Sequence, residues 1–116
     1  TRGPSVTLRE RVRAVMVSNL LTEKQIPDMT TIAATLGVSV ATLKRRLQIE
    51  GTSYSETKMK LLKTITISKL KTGNMTIENI AGDLGFSDVI SFRRAFKKWT
   101  GYSPREFIKE HLRNTQ

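Results

Sequence analysis

The sequence predicts an all-α fold of about seven helices, arranged as two helix-turn-helix subdomains joined by a linker helix. Three observations predict it. Apolar residues recur at helical spacing, and no segment shows convincing two-residue alternation. Glycines and Ser/Thr caps punctuate the chain at short intervals. One block of sequence also occurs twice.

The elements follow in order. Residues 1–7 read as a tail, in which the start Thr1-Arg2-Gly3-Pro4 has neither an initiator Met nor an apolar stretch. A piece of a longer protein, without a signal peptide, is therefore expected. Thr7-x-x-Glu10 offers a capping box for a helix over 8–20, with Leu8, Val12, Val15, Met16 and Leu20 inward. Thr22 to Asp28 reads as a loop. A short helix over 32–36 stops at Gly37, and Ser39 caps a second that turns Leu43 and Leu47 inward and ends at Gly51. Ser53-x-x-Glu56 opens a long helix to about Lys71, with Met59, Leu62, Ile65 and Leu70 as inward residues. After Gly73-Asn74, Thr76-x-x-Asn79 starts a short helix carrying Ile77, Ile80, Ala81 and Leu84. Ser87 is expected to cap the next helix, with Phe92, Ala95, Phe96 and Trp99 on one side. Ser103-Pro104-Arg105-Glu106 starts the last, running to about Asn114. The boundaries expected are a first subdomain over 8–52, a linker helix over 53–73 and a second subdomain over 74–116.

Composition bounds the function. The chain has 116 residues, 38% hydrophobic and 26% charged, which is a globular composition. No apolar run of about 18 residues is present to span a membrane. There is no cysteine, and His111 is the single histidine, so thiolate or multi-histidine metal sites are excluded. No cofactor and no catalytic constellation is expected: the ten acids are scattered and no Ser/His/Asp arrangement has supporting context. Twenty Lys and Arg against ten Asp and Glu give a net charge of +10. Nucleic acid and anionic membrane are the partners that fit such a charge. A membrane surface needs a free apolar helix face, and here those faces are needed for two small cores. An RNA-binding reading is weaker, because the sequence shows no evident aromatic stacking platform.

The repeat sharpens this. Ile32-Ala33-Ala34-Thr35-Leu36-Gly37-Val38-Ser39 recurs 48 residues later as Ile80-Ala81-Gly82-Asp83-Leu84-Gly85-Phe86-Ser87. The offset becomes 49 where Leu43 and Leu47 match Phe92 and Phe96, and 50 where Gly51-Thr52-Ser53 matches Gly101-Tyr102-Ser103. Ala33 and Ala81 let a second helix approach closely, the glycine supplies a left-handed turn, and Val38 or Phe86 plugs the corner. Such a unit exposes its second helix for a DNA major groove.

With Leu43 and Leu47 inward, the outward residues of the first such helix are Val40, Ala41, Lys44, Arg45 and Gln48. Arg45 and Lys44 are the candidate base contacts, and Ala41 suits a thymine methyl. In the second, Arg93 and Arg94 are candidate base contacts. Val89 and Ile90 have two readings, local packing or thymine-methyl contact. Phosphate contacts are expected at Thr31, Gln48, Thr76, Lys97 and Lys98. The five lysines between Thr57 and Ile77 read either as a solubilising face or as further DNA contacts. His111 reads as a surface residue at a helix C-terminus, Arg46 as a surface cation or one whose stem lies on the core edge, and Trp99 as a core anchor.

The stretch Ile80-Ala81-x-x-Leu84-Gly85-Phe86-Ser87-Asp88, then Phe92-Arg93-Arg94-Ala95-Phe96-Lys97-Lys98-Trp99-x-Gly101-x-Ser103-Pro104-x-x-Phe107, closely resembles the DNA-binding domain of the AraC/XylS family of bacterial transcription regulators. Thr42-Leu43-Lys44-Arg45-Arg46-Leu47-x-x-Glu50-Gly51-Thr52-Ser53-Tyr54 resembles the first helix-turn-helix of the same family. The resemblance covers residues 8–110. It implies sequence-specific binding of double-stranded DNA for regulation of transcription, with two recognition helices, about 40–49 and 88–99, in successive major-groove segments. By position it places base contacts on Ala41, Lys44, Arg45, Val89, Ile90 and Arg94. Leu62, Thr66 and Ile108 depart from the family's pattern, which has an Arg, an Ala and an Arg there. The resemblance also implies a bacterial, cytoplasmic, nucleoid-associated protein, with RNA polymerase as a candidate further partner. The isolated domain is expected to be monomeric, with dimerisation, if any, in a separate regulatory domain. The rival reading is a non-specific or architectural DNA-binding module.

Overall fold

A computed structural model describes residues 6–112. Within them are seven α-helices: α1 (Leu8–Glu23), α2 (Met29–Leu36), α3 (Val40–Ile49), α4 (Tyr54–Thr72), α5 (Ile77–Asp83), α6 (Val89–Thr100) and α7 (Pro104–Phe107). A π-helical turn, Ile108–Leu112, follows α7. No strand occurs among the described residues. Contacts divide the chain into two units, through Lys60 and from Leu61 onward, so the division falls inside α4.

In the first unit, all four leading N–H groups of α1 find acceptors, as a helix start requires. Thr7 Oγ1 accepts from the Glu10 N–H, and the Glu10 carboxylate accepts from the Thr7 N–H, completing the expected box. The Thr7 carbonyl accepts from Arg11. The other two donors reach across the sequence: Leu8 N–H and Arg9 N–H both donate to the Glu50 carboxylate, at 2.9 and 3.0 Å. The core is aliphatic, with Val12, Met16, Ile32, Leu43 and Leu47 fully buried. Val15 is only half-buried. Tyr54 pins the start of α4, its hydroxyl donating to the Pro27 carbonyl at 2.8 Å.

Two boundaries move from their expected places. α1 continues to Glu23 and closes on Lys24, a non-glycine residue at φ 53. α2 begins at Met29 rather than near Ile32, because Asp28, expected in a loop, is its N-cap and accepts from the Thr31 N–H. Gly37 ends α2 at φ 74, where a side chain would meet no atom but would strain the backbone.

The second unit repeats the turn with different caps. Val38 N–H donates to the Ala33 carbonyl in the first unit, and Phe86 N–H to the Ala81 carbonyl in the second, both at 3.0 Å. These are the long bonds of a Schellman turn. Ser39 then caps α3 directly. In the second unit the expected cap, Ser87, is passed over, and Asp88 caps α6, its carboxylate accepting from the Ser91 N–H at 2.7 Å. That extra residue accounts for the shift of the repeat offset from 48 to 49.

Along α4 the buried residues are Thr57, Leu61, Leu62, Thr66 and Leu70. Met59 and Ile65, expected inward, are half-exposed. Thr66 donates its hydroxyl to the Leu62 carbonyl at 2.8 Å, so this buried polar group is satisfied four residues back. The last helix is shorter than expected. α7 is a single capped turn that opens into the π-helical turn, and Asn114 lies outside the described residues. Phe92 and Phe96 are fully buried, and rings of Phe86, Trp99, Phe107, Tyr102 and His111 extend that cluster. His111 is exposed, but its ring lies 4.7 Å from that of Phe107.

Candidate nucleic-acid interface

Each unit presents the second helix of its helix-turn-helix with one side buried and the other open. Leu43 and Leu47 anchor α3, leaving Ala41, Lys44, Arg45 and Gln48 exposed. Arg46 is exposed as well. Phe92 and Phe96 anchor α6, leaving Arg93, Arg94, Lys97 and Lys98 exposed. The two apolar residues at the α6 start separate: Val89 is half-buried, while Ile90 is 63% exposed.

Thr31 and Thr76 are exposed at the starts of α2 and α5. Both are engaged in helix caps. Thr31 donates its N–H to Asp28 at 2.8 Å, and Thr76 Oγ1 accepts from the Asn79 N–H at 3.1 Å.

At the starts of α2, α6 and α1 a carboxylate sets the electrostatics. The Thr31 N–H holds the Asp28 carboxyl below the usual carboxylate range, and the Ser91 N–H does the same for Asp88. Glu50 is also lowered, chiefly by the Arg9 N–H, against the opposing effect of its partial burial. All three are therefore anions at neutral pH and stabilise the helix starts they face.

Beside each recognition helix lies a cleft. In the first unit, a cleft of about 400 Å³ brings Lys44 and Gln48 together with Met29, Ser53 and Tyr54. In the second, a cleft of about 720 Å³ brings Arg93 together with Ile77, Ser103, Arg105 and Lys109. Arg105 and Lys109 were not singled out by sequence reasoning. Their signal was a cation pair four residues apart, just after a strong helix start. Glu50 was missed too, since its partners lie 41 and 42 residues away. Among the described residues, no group of three or more His, Cys, Asp or Glu is placed to hold a metal, and no helix is long and apolar enough to cross a membrane.

The chain is similar to known proteins over most of its length. A family model described as a helix-turn-helix domain matches residues 32–110. The HTH-type transcriptional regulator VqsM of Pseudomonas aeruginosa is 35% identical over 100 residues, covering 86% of this chain and 30% of that protein. The ornithine utilization regulator of the same organism is 34% identical, covering 86% of this chain and 29% of its own length. The chain thus spans under a third of these curated relatives. Among solved structures, a DNA-binding transcriptional dual regulator from Escherichia coli K-12 superposes with a TM-score of 0.80 at 25% identity, covering 94% of this chain and 96% of that one. The transcriptional regulator CdpR from Pseudomonas aeruginosa gives 0.76 at 32% identity, over 88% of this chain and 31% of that one. Duplicated turn, open cationic helices and these likenesses agree, and the chain belongs to the AraC/XylS family of helix-turn-helix transcription regulators.

Proposed function

We propose that this domain binds double-stranded DNA sequence-specifically to regulate transcription, α3 and α6 entering successive major-groove segments. The observation that carries the reading is the open cationic face of a buried-backed helix, present twice in a chain of net charge +10. Arg45 and Lys44 read base edges in the first unit, with Ala41 against a methyl group. Arg94 reads a base edge in the second, and Ile90, with Val89 behind it, meets a thymine methyl. Thr31, Gln48, Thr76, Lys97 and Lys98 hold phosphates, Thr31 and Thr76 from the first turns of α2 and α5. The domain works as a monomer on DNA in the bacterial cytoplasm, at the nucleoid, with RNA polymerase as protein partner and no catalysis of its own.

Selection of bound duplexes from a random library tests this. An asymmetric motif of about 17–20 bp is expected, from two major-groove segments on one side of the duplex. Failure to enrich any motif overturns sequence-specific binding in favour of a non-specific module. On the selected duplex, Arg45→Ala is expected to cost about 1–3 kcal/mol and relax preference at one base. An equal loss on every sequence moves Arg45 to the phosphates.

A further inference from the structure

The repeat builds the same cleft twice. Met29, Lys44, Ser53 and Tyr54 line the first, and Ile77, Arg93, Ser103 and Pro104 line the second, at offsets of 48, 49, 50 and 50. The matching residues come from three separate elements of each unit, so the cleft belongs to the fold of the unit. Its charge does not. Lys44 is the one cation lining the first cleft, where Gln48, Thr52 and Ser55 are neutral. Arg93, Arg105 and Lys109 line the second, and no carboxylate does. Arg105 stands where the first unit has Ser55. The neighbouring acid in sequence, Glu106, is not among the lining residues and is engaged in the α7 capping box, accepting the Ser103 N–H at 2.9 Å.

Three cations around one opening repel each other, and an anion seated among them removes that repulsion. Two are arginines, whose planar guanidinium groups match phosphate oxygens in pairs. We propose that this second cleft clamps the DNA backbone: Arg93, Arg105 and Lys109 take phosphodiester oxygens beside the groove entered by α6. This rests on the DNA-binding reading and makes it asymmetric, because the second unit then carries the larger share of salt-sensitive binding. It also divides two adjacent arginines. Arg93 serves the backbone, while Arg94, about 100° further round the helix, serves the bases.

The test is the salt dependence of binding to the library-selected duplex and to a scrambled one. Each phosphate contact contributes about 0.9 to the slope of log K against log salt. Arg105→Gln with Lys109→Gln is expected to flatten the slope by about 1.8, and Arg93→Gln by about 0.9 with equal fold-loss on both duplexes. Ser55→Arg, which gives the first cleft the cation it lacks, is expected to steepen the slope by about 0.9. An unchanged slope in the double variant, with native circular dichroism, overturns the clamp. Loss of discrimination at one base in Arg93→Gln returns Arg93 to base reading and overturns its place in the clamp. Saturable binding of inorganic phosphate that shifts the Arg105 and Lys109 resonances, with the DNA slope unmoved, assigns the cleft to a small anion and also overturns it. Should the wild-type chain select no motif, sequence-specific reading fails, and the slopes on random duplex still decide the clamp.

Discussion

The two units share a turn, with Ile32 and Ala33 buried in one as Ile80 and Ala81 are in the other, and differ in what anchors the helix that follows it. Val38 and Phe86 close the turn with the same backbone bond to Ala33 and Ala81. Behind the first lies an aliphatic core of Val12, Met16, Ile32, Leu43 and Leu47. Behind the second lie rings in sequence, with Phe96 against Phe92, Trp99 and Phe107. The first unit is also tied by long-range polar bonds, Glu50 to the α1 start and Tyr54 to Pro27. The second adds ring contacts and local caps to its own buried aliphatic residues, Leu61, Leu62, Ile80 and Leu84. The difference teaches that the helix-turn-helix signature specifies a backbone junction. Each unit is free to stabilise that junction by its own means, with long-range polar bonds added to an aliphatic core in one and a cluster of rings added in the other.

Removing a ring is the harshest way to break this comparison. Phe96→Ala is expected to cost about 3–5 kcal/mol, because its cavity opens where three other rings meet. Trp99 is the single tryptophan and belongs to the second unit, so its fluorescence reports that unit alone. The fluorescence transition in urea is expected to move well ahead of the helical circular dichroism, which retains the first unit. Leu47→Ala is expected to reverse the order. Coincident transitions in both variants would show one cooperative block and dissolve the contrast between units.

A milder break is Glu50→Gln, expected to cost about 1 kcal/mol through loss of a charged cap on α1. Its pH dependence carries the sign. The Arg9 N–H holds the Glu50 carboxyl below its ordinary value, so its stabilisation is complete above that ordinary value. It is lost as pH falls through the lowered folded value. The wild type is therefore expected to lose more first-unit stability between about pH 5 and 3 than Glu50→Gln does. Parallel curves for the two proteins would remove Glu50 from the acid response.

The smallest effect is expected from Tyr54→Phe, about 0.5–1 kcal/mol for one net hydrogen bond. Burial foremost, then the Asp28 charge, pushes the Tyr54 phenol up. Its contribution is thus intact below the ordinary tyrosine pKa and declines as pH rises through the folded one. Wild-type stability in the first unit is expected to sag at strongly alkaline pH relative to Tyr54→Phe. A sag of the same size in the variant would place the alkaline response elsewhere.

How much of this was readable in advance follows from the range of the forces. Thr7-x-x-Glu10 and Ser103-x-x-Glu106 were legible because each box is closed within four residues. Asp88 displaced Ser87 as a cap because both side chains can accept, and the choice depends on where the turn leaves the backbone. The buried stripe of α4 was half legible. Leu62 and Leu70 were expected, whereas Leu61 and Thr66 take the places read for Met59 and Ile65. One continuous helix serving two units need not keep one face inward along its length. The outward faces of α3 and α6 were legible as complements of Leu43/Leu47 and Phe92/Phe96. The clefts beside them were not, since Ile77, Arg93 and Lys109 meet only once three elements have folded.

The single residue added between Gly85 and the α6 cap has a bearing on engineering. Recognition helices look like interchangeable cassettes, but their reading frames differ by one relative to the preceding glycine. A graft of α3 residues into α6 that counts from Gly37 and Gly85 would rotate every transplanted side chain by about 100° and turn its apolar edge toward solvent. Counting from Ser39 and Asp88 keeps the leucine and phenylalanine anchors superimposed, so specificity transplants in this domain must be cut at the cap.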